Sequence, residues 1–159
     1  LRRAPAWRIV AEDAAFPMLD IGRRAAVAGA KRLYWVQADA KALPFTDAGF
    51  DVVFSNSILH HITNVAPFWA HVARVAKPGA LVFIRDLFRP ETPEDAWDIV
   101  ERYSGRESEL LKEEFHRSLL SAYTPDEIRA QLAHAGLQHI EVATVTDRHV
   151  DVFGRMPLT

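Results

Sequence analysis

The sequence predicts an α/β fold in which helices cover both faces of a mostly parallel sheet. Short apolar runs alternate along the chain with helical patterns, as in a series of βα units. The runs at residues 33–38 and 50–54 are continuous and rich in Val and aromatics, which is typical of strands buried on both faces. The last two strand-like runs, 138–145 and 149–154, flank a polar turn and predict an antiparallel hairpin.

Size and composition predict one soluble domain covering residues 1–159. The chain is 49% hydrophobic and 25% charged with a formal net charge of −2, which gives no basic face for nucleic acid. It has no cysteine, which excludes disulfides and thiolate metal sites and fits a reducing compartment. The N-terminus lacks a signal-peptide apolar core, and the apolar runs are shorter than the ~20 residues that span a bilayer. We therefore expect a cytoplasmic protein without a membrane or nucleic-acid partner.

The first predicted strand, residues 6–11, delivers Glu12 and Asp13 at its carboxyl end. An acid after such a strand can accept two hydrogen bonds from the vicinal hydroxyls of a ribose, and it can equally cap the next helix. Both interpretations of Asp13 stay open at this point.

The next helix is predicted over residues 15–28, with Gly29 as its C-cap. Met18, Ile21 and Ala25 recur at helical spacing, so we expect this face to belong to the core.

The middle of the chain supplies two more strand ends. A short connection at 41–49 leads to the strand at 50–54, and a helix over 64–76 stops at Lys77-Pro78-Gly79 before a strand at 80–87. Ligands bind outside the carboxyl ends of parallel strands. A site is therefore expected near Asp39-Ala40 and Ser55-Asn56-Ser57.

Residues 88–122, called the insertion below, are charged and proline-punctuated, with helical stretches at 93–103 and 107–120. Following a strand end, the insertion is either a lid over the site or a solvated helical hairpin. A clearer start signal follows at Thr124-Pro125-Asp126-Glu127, which predicts a capped helix over 126–135.

The chain resembles a known family, the class I S-adenosylmethionine-dependent methyltransferases of the small-molecule type. The resemblance rests on an ordered series of short motifs: Asp39-Ala40, Leu43-Pro44-Phe45, Asp47, Phe50-Asp51-Val52-Val53, Leu59-His60-His61, Lys77-Pro78-Gly79 and Asp86. It implies a Rossmann-like doubly wound sheet, S-adenosyl-L-methionine as cofactor and methyl transfer to a small-molecule acceptor.

The resemblance also implies roles for individual residues. Asp13 matches the acid that binds the ribose hydroxyls, with Glu12 as its rival. Asp39 matches the acid that accepts from the adenine amino group, and the Ala40 amide would donate to a ring nitrogen. Ser55 and Asn56 match the strand end beneath the methionine portion of the cofactor.

The acceptor side is predicted from fewer signals. Adjacent histidines point in different directions on a helix, so His60 and His61 are not expected to form a metal pair, and no metal is predicted. His60 is a weak candidate for a general base and His61 for acceptor binding. Further candidates for an acceptor pocket are Tyr103, Phe115, Tyr123 and Arg148, although aromatics at helical spacing more often belong to the core.

The sequence departs from the family in one large respect, because it has no first strand and no Gly-rich loop. Its seven glycines are dispersed, and residues 1–5 are typical of a helix end. Three interpretations follow. The first is an N-terminally incomplete methyltransferase. The second is an inactive pseudoenzyme or interaction module that closes the gap of the missing central strand with its own neighbouring strands, in a homodimer or with a partner chain. The third is another nucleotide-binding α/β protein such as a dehydrogenase. The last is disfavoured by the lack of a glycine fingerprint. We expect these 159 residues alone to bind the cofactor weakly or not at all.

Overall fold

The computed structural model describes residues 7–26 and 32–158. Their helices and strands follow each other as β1 (Ile9–Asp13), α1 (Phe16–Ala25), β2 (Leu33–Gln37), β3 (Phe50–Asn56), a 3₁₀ turn (Leu59–His61), α2 (Ala66–Val75), β4 (Ala76–Leu87), α3 (Pro93–Ser104), α4 (Glu109–Ser121), α5 (Pro125–His134), β5 (Glu141–Thr144) and β6 (His149–Arg155). The chain divides into two compact units, residues 1–45 and 46–159. The single-domain expectation stays a prediction.

The first unit contains a two-stranded parallel sheet with α1 as its crossover helix. Ile9 lies opposite Leu33 and Asp13 opposite Gln37. The strand therefore starts later than the sequence predicts and continues through both acids, because the ladder with β2 extends to them. The predicted helix end at 1–5 and the Gly29 cap lie outside the described residues.

Helix α1 turns a different face to the sheet from the one that the sequence predicts. Met18 and Ile21 are 57% and 61% exposed, so the expectation that they belong to the core is wrong. Leu19 is buried instead, and a Cβ at Gly22 would lie 2.8 Å from a ring carbon of Trp35. Leu19 and Gly22 are three residues apart and share one helix face, and the lack of a side chain at Gly22 lets this face approach Trp35 closely.

The second unit contains a four-stranded mixed sheet in the order β3-β4-β6-β5. Strand β3 runs parallel to β4 through the crossover helix α2, whereas β6 is antiparallel to both β4 and β5. The predicted α/β class and the C-terminal antiparallel hairpin are thus confirmed.

The apolar runs at 33–38 and 50–54 do form strands, but they are not buried on both faces. Tyr34 is 43% and Phe54 60% exposed, so that expectation is wrong. Within the described part of the chain, β2 pairs only with β1 and β3 only with β4, which makes both of them edge strands. An apolar run alone does not distinguish a central strand from an edge strand.

The core of the second unit lies between the sheet and helices α2 and α5. Helix α2 buries Phe68, Trp69, Val72 and Val75, the side that the sequence predicts as its inner stripe. Strand β4 begins directly at Ala76, and Gly79 adopts a φ of +74° where the pairing of β3 with β4 shifts register. The positive φ explains why a glycine occupies this position.

The insertion forms the two predicted helices, α3 and α4. Thr92 and Asp95 make a capping box at the start of α3. Thr124 and Glu127 make another at the start of α5, and this second cap is the one that the sequence predicts. The two insertion helices contribute to one apolar cluster, which consists of Leu87, Ala96, Ile99, Val100, Leu119 and Ala122. Phe115 packs against this cluster. Phe115 is therefore a packing residue, as is common for aromatics at helical spacing.

Among the described residues, no helix has the length and apolar character needed to cross a membrane.

Candidate functional site

The candidate site residues fall into two groups, one in each unit. The first unit holds Asp13, Asp39 and Ala40, and the second holds Ser55, Asn56, His60, His61, Tyr123 and Arg148.

Asp13 stands at the end of β1, where its carboxylate shapes the turn into α1. Its Oδ1 accepts a hydrogen bond from the Ala15 amide at 2.7 Å, and its carbonyl accepts from the Ala38 amide at 3.2 Å. The N-cap of α1 is Ala15, which receives no side-chain capping hydrogen bond, so Asp13 does not cap the helix and its carboxylate closes the turn before it. Because one oxygen is used in this way, Oδ2 is the atom with which Asp13 could accept from a ligand hydroxyl.

Glu12 carries the most unusual carboxyl group of the first unit. Its Oε1 is buried and, among the described residues, has no hydrogen-bond partner. Burial, together with the negative charges of Asp13 and Asp39, raises the pKa of Glu12 to about 7. Buried polar atoms are normally hydrogen-bonded, so this oxygen is suited to a ligand hydroxyl. The sequence indicates Glu12 only as an alternative to Asp13, because the burial of its carboxyl group and the lack of a hydrogen-bond partner cannot be seen in the local sequence.

Asp39 forms a tight turn after β2. Its Oδ1 accepts from the Lys41 amide at 2.8 Å and its Oδ2 pairs with Lys41 Nζ at 3.0 Å. The Lys41 amide is the main cause that lowers the pKa of Asp39, so the group is ionised at neutral pH. Ala40 is buried beside it at 8% exposure. The turn thus presents a carboxylate that is about half exposed next to a backbone amide.

In the second unit, β3 extends two residues further than the sequence predicts. Ser55 and Asn56 still pair with Ile84 and Arg85, and the strand gives way to a turn at Ser57. Ser57 adopts a φ of +58°, which is uncommon for a residue with a side chain, and its amide donates to the Arg85 carbonyl at 2.9 Å.

Asp86, at the end of β4, is the hub of this region. It is 1% exposed, and its Oδ2 accepts from the amides of Ile58 and Leu59, both at 2.7 Å. Its Oδ1 lies 2.5 Å from His60 Nδ1 and accepts from the Leu87 amide at 2.8 Å. A carboxylate oxygen accepts, so Nδ1 of His60 carries the hydrogen.

The two histidines lie close together, which corrects the expectation that they point apart. They sit in a 3₁₀ turn, not in a regular helix, and their ring centroids are 4.0 Å apart. His60 is buried against Asp86, which fits an internal structural role better than a general base. His61 is exposed, and partial burial of its ring beside His60 lowers its pKa.

The polar candidates Tyr103, Tyr123 and Arg148 already make hydrogen bonds within the protein. The Tyr123 hydroxyl donates to the Ile62 carbonyl at 2.6 Å. The Arg148 guanidinium lies 3.4 Å from the centroid of the Tyr103 ring and pairs with Asp147 at 3.2 Å. Asp147 also accepts from Arg102 and from the Tyr103 hydroxyl, so this cluster ties α3 to the turn between β5 and β6.

No group of three or more His, Asp or Glu side chains in the described part of the chain is arranged to hold a metal ion.

The comparison with family models decides the assignment. A model described as Methyltransferase domain matches residues 1–84, more than half of the chain. The chain belongs to this methyltransferase domain family. The resemblance drawn from Asp39-Ala40 and the motifs that follow it is therefore confirmed.

Curated relatives of this methyltransferase domain act on different acceptors. The ubiquinone/menaquinone biosynthesis C-methyltransferase of Paracoccus denitrificans is 36% identical over 106 residues, covering 65% of this chain and 42% of the relative. The malonyl-[acyl-carrier protein] O-methyltransferase of Xylella fastidiosa is 34% identical over 97 residues, covering 57% and 30%. The chain thus spans less than half the length of these two relatives.

A solved methyltransferase supports the same fold. Phosphoethanolamine N-methyltransferase 2 of Haemonchus contortus, in complex with S-adenosyl-L-methionine, matches with a TM-score of 0.72 and 18% identity. The match covers 99% of this chain and 46% of that one. At this identity the likeness shows the fold.

Proposed function

We propose that the protein transfers a methyl group from S-adenosyl-L-methionine to a small-molecule acceptor. The observation that carries the proposal is the family match over residues 1–84, the stretch that contains all five predicted cofactor residues. The curated relatives add support, because both are named as methyltransferases.

The adenosine end of the cofactor would be held by the first unit. Asp39 would accept from the adenine amino group, and the amide of Ala40 would donate to the ring. The ribose would be held by Asp13, whose Oδ1 is already used by the Ala15 amide, with Glu12 beside it. The orphaned Oε1 of Glu12 is the observation that fits a hydroxyl-bearing ligand at this end.

The resemblance assigns Ser55 and Asn56, which belong to the second unit, to the methionine portion of the cofactor. Asn56 is exposed, and its amide nitrogen donates to the Ser57 hydroxyl at 3.3 Å. Polar groups of this kind at a strand end suit the ammonium and carboxylate of an amino acid.

When bound, the cofactor supplies a methyl group on a positively charged sulfonium sulfur, and in an in-line displacement the C–S bond would break with the sulfur leaving as a neutral thioether. The residues of this chain then have to orient the acceptor and take up a proton where the attacking atom carries one. His61 suits that position better than His60, because His61 is exposed and His60 is buried against Asp86.

The test is transfer of a labelled methyl group from S-adenosyl-L-methionine by the complete natural gene product, with fractionated cell extract as the acceptor source. We expect label in the small-molecule fraction, with strong loss in an Asp39→Ala variant and none in an Asp51→Ala variant, whose acid is exposed. Absence of transfer, or label in protein or nucleic acid alone, would contradict the proposal.

The alternative of an inactive module that needs a partner strand stays a prediction, and so does a homodimer. The feature that favours it is the edge strand β3, on which Phe54 is 60% exposed. Sedimentation velocity tests the homodimer. A dimer that the Phe54→Asp substitution dissociates supports it, and a monomer at high concentration rejects it.

A further inference from the structure

The segment of residues 57–63, called the post-β3 turn below, is held at both ends by side chains from elsewhere in the second unit. At its start, Asp86 Oδ2 accepts from the amides of Ile58 and Leu59. These amides open the 3₁₀ turn, so their backbone N–H groups would otherwise lack partners. The buried carboxylate thereby fixes the direction in which the turn leaves β3.

At the other end, the Tyr123 hydroxyl lies 2.6 Å from the Ile62 carbonyl oxygen and 3.2 Å from that of Thr63. A hydroxyl has a single hydrogen to donate, so Ile62 is the main acceptor. Burial raises the pKa of Tyr123, which keeps this group a donor. Tyr123 follows the insertion directly, and α4 of the insertion also contacts the turn.

The two histidines lie between these anchors. The His60 ring is fixed by Asp86 and is 8% exposed, and the His61 ring packs against it. His61 is thus an exposed side chain on a turn whose backbone is hydrogen-bonded at both ends, and its ring packs against the anchored ring of His60.

We propose that Asp86 and Tyr123 are positioning residues that clamp the post-β3 turn and thereby hold His61 toward the methyl acceptor. The role of His61 in this proposal rests on the proposed methyl-transfer function, whereas the hydrogen bonds that hold the turn do not. Because Tyr123 stands at the end of the insertion, a displacement of the insertion reaches His61 through the bond to Ile62. The insertion then acts on the acceptor side through the backbone of the turn and not through direct contact alone.

The structural test compares Tyr123→Phe with a control variant, Tyr103→Phe. The control also removes a tyrosine hydroxyl, but that hydroxyl donates to Asp147 and not to the turn. We expect the His61 and Ile62 amides of Tyr123→Phe to exchange roughly tenfold faster, the effect of losing about one hydrogen bond. The His61 ring resonances should shift in the same variant. Tyr103→Phe should match the wild type at these positions. Equal exchange in wild type and Tyr123→Phe, or equal changes in both variants, would overturn the clamp.

Asp86→Asn tests the other anchor. We expect loss of the downfield His60 Nδ1 proton resonance and at least tenfold faster exchange of the Ile58 and Leu59 amides. Retention of that resonance with unchanged exchange would overturn the role of Asp86.

The functional readout separates positioning from general loss of structure. Tyr123→Phe should lower the rate of label transfer about tenfold while the affinity for S-adenosylhomocysteine, measured by calorimetry, stays within twofold of wild type. A parallel fall in cofactor affinity would overturn a positioning role. If the wild type binds no cofactor but the exchange pattern is as expected, the methyl-transfer proposal fails and the clamp itself stands.

Discussion

His60 Nδ1 and Asp86 Oδ1 lie 2.5 Å apart in a buried pair that joins the end of β4 to the turn after β3. The pair makes His60 part of the framework and leaves His61 as the histidine that faces solvent. Breaking a buried polar pair by removing one partner leaves the other group without compensation. The two adjacent histidines should therefore respond very differently to substitution.

His60→Ala should destabilise the protein by about 2–4 kcal/mol, since it removes a buried ring and the side-chain partner of a buried carboxylate, leaving Asp86 Oδ1 with the Leu87 amide alone. His61→Ala, one residue away, should change the free energy of unfolding by less than about 0.5 kcal/mol, as is usual for exposed positions. Urea denaturation of both variants measures this. Similar losses for the two would show that the ring of His60 is not specifically anchored.

Glu12 should make stability depend on pH in the neutral range. Its pKa is about 7 in the folded state and close to 4.5 in the unfolded state, so the folded state holds the proton more tightly. Its contribution is intact below pH 4.5 and is lost as the pH rises through 7. Allowing for the solvent that screens a half-buried group, the loss is about 1 kcal/mol.

Glu12→Gln removes the ionisation, so this variant should be more stable than wild type at pH 8 and should lose that advantage near pH 4.5. Thermal melts across the range measure the difference, with Asp51→Asn as a control at an exposed acid. An identical pH profile for wild type and Glu12→Gln would refute the assignment.

The capping box at the start of α5 should contribute more than the single cap at the start of α4. Thr124 Oγ1 accepts from the Glu127 amide at 3.2 Å, and Glu127 Oε2 accepts in return from the Thr124 amide at 2.8 Å. Ser108 makes one long contact of 3.4 Å with the Leu111 amide. Thr124→Ala should cost about 1 kcal/mol and Ser108→Ala clearly less, as chemical denaturation would show. The reverse order would contradict the capping geometry.

The features that could be predicted from sequence are those with local causes. Thr124 and Glu127 form a capping box through their spacing alone, and the helices of the insertion begin and end close to their predicted positions. The terminal hairpin follows from two strand-like runs around a short polar turn. The sequence places Asp86 at the end of a strand, but it does not predict the four hydrogen bonds that its carboxylate accepts.

The features that could not be predicted depend on packing between distant residues. The face that α1 turns inward brings Gly22 close to Trp35, and the apolar periodicity of the helix does not reveal this approach. Tyr123 and Arg148 suit an acceptor pocket by residue type, yet in the structure the Tyr123 hydroxyl donates to the Ile62 carbonyl and Arg148 pairs with Asp147. The assignment of Asp13 and Asp39 to the cofactor is likewise a prediction that binding must test.

Calorimetric titration of S-adenosyl-L-methionine tests the central claim most directly, because the methyl-transfer function requires this cofactor. For the complete natural gene product we predict saturable binding in the micromolar range, weakened at least tenfold by Asp39→Ala and unchanged by Asp51→Ala. No heat of binding from the complete product, or equal affinity in wild type and Asp39→Ala, would contradict the account.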